Sequence, residues 1–394
     1  MKKSKILMLS QTVFPPDIRL EKEIRTLSEN GYEVLVLCNQ YEKEKNPAYP
    51  YCEIVRVKAP FENIKLNKII NFPIFFNPRF LLKAVKTAMV FQPDFIHAHD
   101  LPTVPLGYVL KQILNKPLIY DMHENYPDAL REFKKKGIFN FLFKNPAVAD
   151  VIEKFNLKVA DRIITVVEEN RERLIKQGVA SEKIAVVSNT IDLETFVKSG
   201  ENKENDFEFV GKKIMLYTGT VSPERGLETP VNAMKIVQKK IPEALFIIVG
   251  DGPSTSALKE IVEKNNLHEN VKLIPWQGHE KLWRFISQAK ICVIPQPSND
   301  FIDNTIPHKL FEYMSFEKPV LVSDAKPLKR IISETGCGLF FKSHDYNNCA
   351  EKVIELLQSE NIEDFGKSGK EAVIKKYNWK RDAESLTKLY GAIN

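Results

Sequence analysis

Short unbroken apolar runs alternate with stretches of helical period along most of the 394 residues. That alternation constrains the fold more than any other feature. A run such as Val34-Leu35-Val36-Leu37-Cys38, or Ala244 to Val249, shows no polar alternation, so a strand made from it is buried on both faces. Strands of that kind, separated by helices, belong to parallel sheets covered by helices on both sides. The first half yields strands near 5–10, 33–39, 54–58, 95–98, 118–121, 162–167 and 184–187, with helices at 19–30, 80–91, 103–114, 146–160 and 169–177 between them. The stretch 198–208 is charged, polar and nearly free of apolar residues, and marks a linker. The theme then repeats, with strands near 214–217, 244–249, 271–274, 291–294, 319–322 and 338–341. Helical stretches at 347–358, 362–376 and 379–393 close the chain. The expected architecture is α/β, two doubly wound parallel-sheet domains at 1–195 and 213–376, joined by a linker at 196–212 and followed by a C-terminal helix at 377–394. In such folds ligands bind outside the carboxyl ends of the strands, here in a cleft between the two domains.

The net charge of +6 comes from basic residues that are mostly dispersed, which argues against a nucleic-acid partner. Five cysteines without C-x-x-C spacing suggest reduced thiols in the cytoplasm. The N-terminal apolar run, Ile6 to Leu9, is too short for a signal peptide, and no run approaches the ~18 residues of a membrane span. One stretch is strongly biased. Arg131 to Lys144 interleaves Lys134, Lys135 and Lys136 with Phe139, Phe143 and their apolar neighbours. It suits either an anionic membrane surface, such as the inner face of the plasma membrane, or an amphipathic helix facing the core with a solvated lysine edge. The apolar–basic stretch Ile64 to Arg79 could join it.

The loops after the strands carry the chemistry. Asp17 in F-P-P-D-I-R is either a helix cap or an acceptor contact, and Arg19, which opposes the helix dipole, points to ligand contact. H-A-H-D-L-P contains His97 and His99, two apart and therefore on one strand face. No third metal ligand stands near them in sequence, so hydrogen bonding outweighs metal, with His97 assigned to the core and His99 to the site. Asp121, His123 and Glu124 leave a buried strand together, as an active-site wall would. In Y-T-G-T-V-S-P-E-R-G-L, Gly219 lets the backbone approach a phosphate and Arg225 can pair with it. The stretch Asp303 to Ser323 reads D-N-T-I-P-H-K-L-F-E-Y-M-S-F-E-K-P-V-L-V-S. Pro307 fits a helix start, with Lys309 in the first turn as an anion site; Glu312 is either a ribose acceptor or the partner of a surface Lys–Glu pair. No D-x-D, H-E-x-x-H, G-x-S-x-G or complete G-x-G-x-x-G occurs.

These motifs, with S-N-T-I-D (188–192), V-G-D-G-P (249–253) and P-H-K-L-F-E-Y-M-S-F-E-K-P-V, together resemble the family 4 retaining glycosyltransferases over essentially the whole chain. The resemblance implies the GT-B fold, with the acceptor on the N-terminal Rossmann-like domain, the nucleotide-sugar on the C-terminal one, and the last helix crossing back. It implies Glu312 on the ribose, Arg225 and Lys309 on the diphosphate, His99 near the reacting carbon, and Gly219 and Gly252 lining the donor pocket. Asp17, Arg19, His123 and Glu124 fall on the acceptor side. Two positions depart from the family pattern: Asn304 stands where a glutamate usually contacts the donor sugar, and Thr220 stands where many members carry arginine. The expected activity is retaining, metal-independent, cofactor-free transfer from a nucleotide-sugar to a lipid-linked or oligosaccharide acceptor. A nucleotide-sugar 2-epimerase of the same fold and a non-catalytic nucleotide-sugar-binding subunit are the competing readings.

Overall fold

The computed structural model describes residues 3–40, 47–58, 77–132, 145–188, 190–193 and 209–393. The chain divides into two compact units, Met1–Ser188 with Asp382–Asn394, and Asn189–Arg381. Residues 194–208, most of the expected linker, lie outside the described residues. So do 59–76 and 133–144, and with them Lys134, Lys135, Lys136, Phe139 and Phe143.

The first unit is built on a seven-stranded sheet in the order β3-β2-β1-β4-β5-β6-β7. The strands are β1 (Lys5–Val13), β2 (Glu33–Gln40), β3 (Glu53–Lys58), β4 (Phe95–His99), β5 (Leu118–Met122), β6 (Arg162–Thr165) and β7 (Ile184–Val186). Every pairing in it is parallel. Helices Pro78–Phe91 and Pro146–Val159 start on the same local signal. Asn77 and Asn145 accept hydrogen bonds from first-turn N–H groups, and a proline follows where its missing N–H costs nothing. With Val104–Leu114 they bury Phe80, Ala84, Leu110 and Ile152 against Leu7, Leu9, Ile96 and Leu118. The helix lies close on the sheet at Gly107, where a Cβ would stand 2.6 Å from Leu118. After β5 comes a short helix, Tyr126–Glu132, which the sequence pattern does not reveal. Seven residues are too few to display a helical period in sequence.

The second unit carries a six-stranded parallel sheet in the order β10-β9-β8-β11-β12-β13. Its strands are β8 (Lys213–Thr218), β9 (Ala244–Val249), β10 (Val271–Ile274), β11 (Ile291–Ile294), β12 (Val320–Ser323) and β13 (Gly338–Phe341). Met215, Phe246, Ile248 and Val293 pack against Val231, Met234, Leu258 and Val353 from the covering helices. The last helix, Trp379–Gly391, begins in this unit, where the Trp379 N–H donates to the Ile191 carbonyl at 2.8 Å. From Asp382 on, its residues belong to the first unit: Asp382 accepts from the Ser188 N–H at 3.0 Å, and the Tyr390 ring packs 5.2 Å from Phe95 and 5.4 Å from Tyr32. The α/β class and the pair of Rossmann-like parallel sheets are as expected from the alternation of strand and helix. None of the described helices is long and apolar enough to cross a membrane.

Candidate functional site

In each sheet the connections reverse direction beside the first strand, between β1 and β4 and between β8 and β11. Loops leaving the carboxyl ends of strands at such a switch point form ligand sites.

In the second unit, β8 runs into Gly219, whose φ of 125° is one that side chains rarely adopt. A Cβ there would lie 2.8 Å from Lys309 Nζ. That ammonium donates to the Thr218 carbonyl at 2.6 Å and stands 3.9 Å above the Tyr217 ring. One turn on, the Tyr313 hydroxyl lies 3.0 Å from both the Thr218 N–H and its Oγ1, which ties helix Lys309–Ser315 to the end of β8. Burial pushes Lys309 down to about 7, the Arg225 charge pushes it the same way, and Glu312 pulls it back only in part. Arg225 ends the short 3-10 turn Pro223–Arg225, and its Nε is buried without a hydrogen-bond partner. A desolvated lysine influenced by an arginine with an unmatched donor makes a pair that an anion would relieve.

The helix begins at Lys309, as its sequence suggests, but with His308 as its cap Pro307 stands just outside it. It has only seven residues, and the positive charges near its start belong to the Lys309 and Arg225 side chains. Gly252 is required by chain packing, because a Cβ would overlap the Val221 carbonyl. Asn304 is buried in its own loop, its Nδ2 donating to the Asp300 carbonyl at 2.6 Å. Thr220 is exposed and its carbonyl accepts from the Tyr217 hydroxyl at 2.7 Å.

In the first unit, β4, β5 and helix Ile18–Glu29 converge on a buried polar cluster. Asp121 Oδ2 lies 2.8 Å from His123 Nε2, 2.9 Å from His99 Nδ1 and 3.4 Å from His97 Nε2. His97 and His99 do share a face, their rings stacked with centroids 4.3 Å apart, and both are buried. His97 Nδ1 is held by the Tyr390 hydroxyl at 2.6 Å, and Glu23 reaches His97 Nε2 at 3.9 Å. The protonation pattern follows from the charges. Burial favours the neutral form of Asp121, but His123 and the hydrogen bonds from the three imidazoles hold it well below the usual carboxylate range. Glu23, buried and beside the Asp121 charge, is pushed well above its ordinary value. Burial and the neighbouring His97 bring His99 down to about 3, so it is neutral. For His123 burial opposes the charge, yet Asp121 outweighs it and raises its value.

Asp17 caps its helix, accepting from the Arg19 and Leu20 N–H groups at 3.1 and 3.4 Å. Arg19 is half-buried; burial opposes its charge, but Asp100, Asp17, Asp121 and Glu124 more than compensate. Glu124 is exposed beside them. Asp100 takes φ 66°, a strained backbone at the turn that follows His99.

The ligand atoms of Glu23, His97, His99 and Asp121 lie within 4.8 Å of one another, a donor set that a divalent cation could use. Two ligands on a tetrahedral zinc with bonds of about 2.0–2.1 Å stand roughly 3.3 Å apart. The contacts of Asp121 with His99 and His123 are shorter and have hydrogen-bond length. In this arrangement three imidazoles crowd one carboxylate, Asp121.

Residues 20–195 match the family model "Glycosyltransferase Family 4" and residues 199–372 the model "Glycosyl transferases group 1". The chain belongs to glycosyltransferase family 4. Among curated relatives of this glycosyltransferase, UDP-Gal:alpha-D-GlcNAc-diphosphoundecaprenol alpha-1,3-galactosyltransferase of Escherichia coli is 22% identical over 94% of this chain and 91% of its own. Sulfoquinovosyl transferase SQD2 of Arabidopsis thaliana is 26% identical over 92% of this chain and 67% of its own. Among solved structures, sucrose-phosphate synthase of Thermosynechococcus elongatus superposes with a TM-score of 0.78 at 20% identity, covering 99% of both chains. That likeness, with the two sheets described above, establishes the GT-B fold.

Reading the glycosyltransferase from sequence alone missed Glu23, Asp100 and Tyr390. Glu23 left a signal: it falls among Leu20, Ile24 and Leu27 on the buried face of its helix, where an unpaired acid is costly. Tyr390 left none, because its partner His97 is 293 residues away.

Proposed function

We propose that this glycosyltransferase moves a sugar from a nucleoside-diphosphate sugar to a hydroxyl of a lipid-linked acceptor, with retention at the anomeric carbon and without a metal ion. The observation that carries the donor half is Lys309 beside Gly219, a desolvated amine held down by the Arg225 charge, with an unmatched N–H on that guanidinium. The diphosphate supplies the missing negative charge and Glu312 accepts from the ribose hydroxyls. As the C1–O bond breaks, its electron pair leaves on the β-phosphate oxygen, where Arg225 and Lys309 stabilise it in place of a cation. The acceptor oxygen bonds to C1 from the same side, and its proton passes to the departing phosphate. In the first unit, neutral His99, held by ionised Asp121, lies against the reacting sugar, and Arg19, His123 and Glu124 receive the acceptor. Asp17 serves this arrangement by capping the helix that presents Arg19.

The lipid-linked acceptor is supported by the name of the E. coli relative, whose acceptor is a diphosphoundecaprenol. Solved UDP complexes of Anabaena HepE, similar in fold, make UDP the first donor base to test. Placement of the protein at the inner face of the plasma membrane belongs to the same reading. The test combines thermal shift and turnover with UDP-, GDP- and ADP-sugars, with and without EDTA. We expect one base to stabilise the protein in EDTA, and Arg225→Ala or Glu312→Ala to cut turnover at least 100-fold while the fold survives. Turnover abolished by EDTA would overturn metal independence. Binding with no transfer to any lipid-linked acceptor would favour the non-catalytic reading that Asn304 permits.

A further inference from the structure

Beside the switch point of the second sheet two buried polar atoms lack a hydrogen-bond partner, Arg225 Nε and Gln296 Oε1. Gln296 follows β11 by two residues and is only 2% exposed. Its carbonyl accepts from the Ser323 hydroxyl at the end of β12, but its amide oxygen is left over. Strand parity gives the direction of the side chain. Residues 292, 294 and 296 fall on one face. On that face Cys292 acts electrostatically on Tyr313, in helix Lys309–Ser315. Pro297, of opposite parity, stands 2.9 Å from the place of a Cβ on Gly226, towards the helix that packs on Val293. The register pairs Cys292 with Leu216, so four residues on Gln296 comes level with Thr220, next to Gly219 and its Lys309. The turn that carries Arg225 touches the same loop, because a Cβ on Gly226 would overlap the Pro295 carbonyl. Between Gln296 and Lys309 two further polar side chains are buried, and both are committed. Asp303 accepts from the Ser298 hydroxyl and the Lys326 N–H, each at 3.0 Å, and Asn304 donates to the Asp300 carbonyl.

The two orphans ask for opposite partners. The Arg225 N–H needs an acceptor, and a diphosphate is one. Gln296 Oε1 needs a hydrogen-bond donor, and an ionised diphosphate has none. A hydroxyl carried on that diphosphate answers the need, and with the ribose held by Glu312 the transferred sugar is the group that remains. We propose that Gln296 is a specificity residue for the donor sugar, accepting from one of its hydroxyls in place of Asn304, which has turned into its own loop. The inference rests on the donor-site reading given above and adds to it the residue that distinguishes one sugar from another. The torsion that orients a glutamine amide is soft, so the group can turn to a ligand in the crevice. A purely structural glutamine would be hydrogen-bonded, because a buried amide oxygen without a partner is costlier than an apolar group of the same shape. Stability given up in this way is typical of groups kept for a ligand. A site built around such a group discriminates strongly, since the wrong sugar leaves it unpaired.

The test is titration calorimetry of the full chain and of Gln296→Met, an apolar side chain of similar length. The probes are UDP, GDP and ADP, and the glucose, galactose and mannose conjugates of the base that binds. Wild type should prefer one hexose over its epimers at least tenfold. In Gln296→Met that preference should shrink to within about threefold, with the favoured conjugate bound at least tenfold more weakly. The bare nucleotide should bind the variant within about twofold of wild type, and the melting temperature should stay level or rise. A preference that survives the substitution would overturn the proposal while leaving the donor site intact. Equal weakening of the bare nucleotide would overturn it too, by moving Gln296 to the ribose, the base or the diphosphate. So would a melting temperature lowered by several degrees, which would give the amide a structural partner, or a wild type indifferent to the hexose. A wild type that binds no nucleotide would remove the donor-site reading itself, and this inference with it.

Discussion

Two side chains hold charge states that their types alone would not indicate. Lys309, brought down to about 7 by burial and by Arg225, is largely neutral in the free protein just above neutral pH. A bound diphosphate must raise it again. Nucleotide binding at pH 8 should therefore take up a proton, read by calorimetry in buffers of different ionisation enthalpy, and affinity should fall as pH rises from 6 to 8. In Lys309→Arg both effects should vanish, because arginine does not titrate there. Proton uptake that persists in the variant would place the titrating group elsewhere. Glu23 presents the opposite case. Its folded value lies above the unfolded one, so its contribution to stability is present at low pH and is lost as pH rises through the folded value. Glu23→Gln mimics the protonated form and should keep activity within about threefold, while Glu23→Ala leaves a cavity beside His97 and should cost about 2–4 kcal/mol. A hundredfold loss of activity in the glutamine variant would mean that Glu23 is ionised.

At the scale of elements, the proposed donor site is a joint between β8 and the seven-residue helix Lys309–Ser315. Tyr313 pins the helix to Thr218, and Lys309 occupies the space that Gly219 leaves open. Gly219→Ala adds a methyl at φ 125° and pushes against Lys309 Nζ. Strain of this kind costs about 1–3 kcal/mol, and the displaced ammonium should weaken nucleotide binding more than tenfold. Equilibrium binding and the melting temperature check both; unchanged affinity would remove Lys309 from the diphosphate. The helix and its start at Lys309 were legible in sequence, but the place of Pro307 was not. Pro307 suggests a first helical position, whereas the chain turns once more and His308 becomes the cap. Asp17 shows the same limit: a capping residue and a ligand contact share one residue type, and only the hydrogen bonds from the Arg19 and Leu20 N–H groups assign it to the cap.

At the scale of the whole molecule, each unit has its own sheet and core, and the chain returns to the first unit after completing the second. Calorimetry should resolve two transitions. Nucleotide at about 100 times its dissociation constant should raise only the second unit's transition, by about 2.7 kcal/mol. Tyr390→Phe removes the hydrogen bond to His97 and should lower only the first, by about 1–2 kcal/mol, although residue 390 follows the second unit in sequence. A single transition that moves as one under both changes would show that the units unfold together. By itself the sequence determined the α/β class, the two sheets and the family, because burial of both strand faces and helical period are local properties that a few residues display. It also offered the residues proposed for function, since His99 in the first unit and Arg225, Lys309 and Glu312 in the second stand in motifs near the ends of strands. Only the tertiary structure decided how those residues are charged and which others join them. The parallel register sets Asp121 between His99 and His123, the first helix brings Glu23 beneath them, and the last helix closes the cluster with Tyr390. A proton's position depends on burial and on neighbours distant in the chain, and spacing along a sequence carries neither.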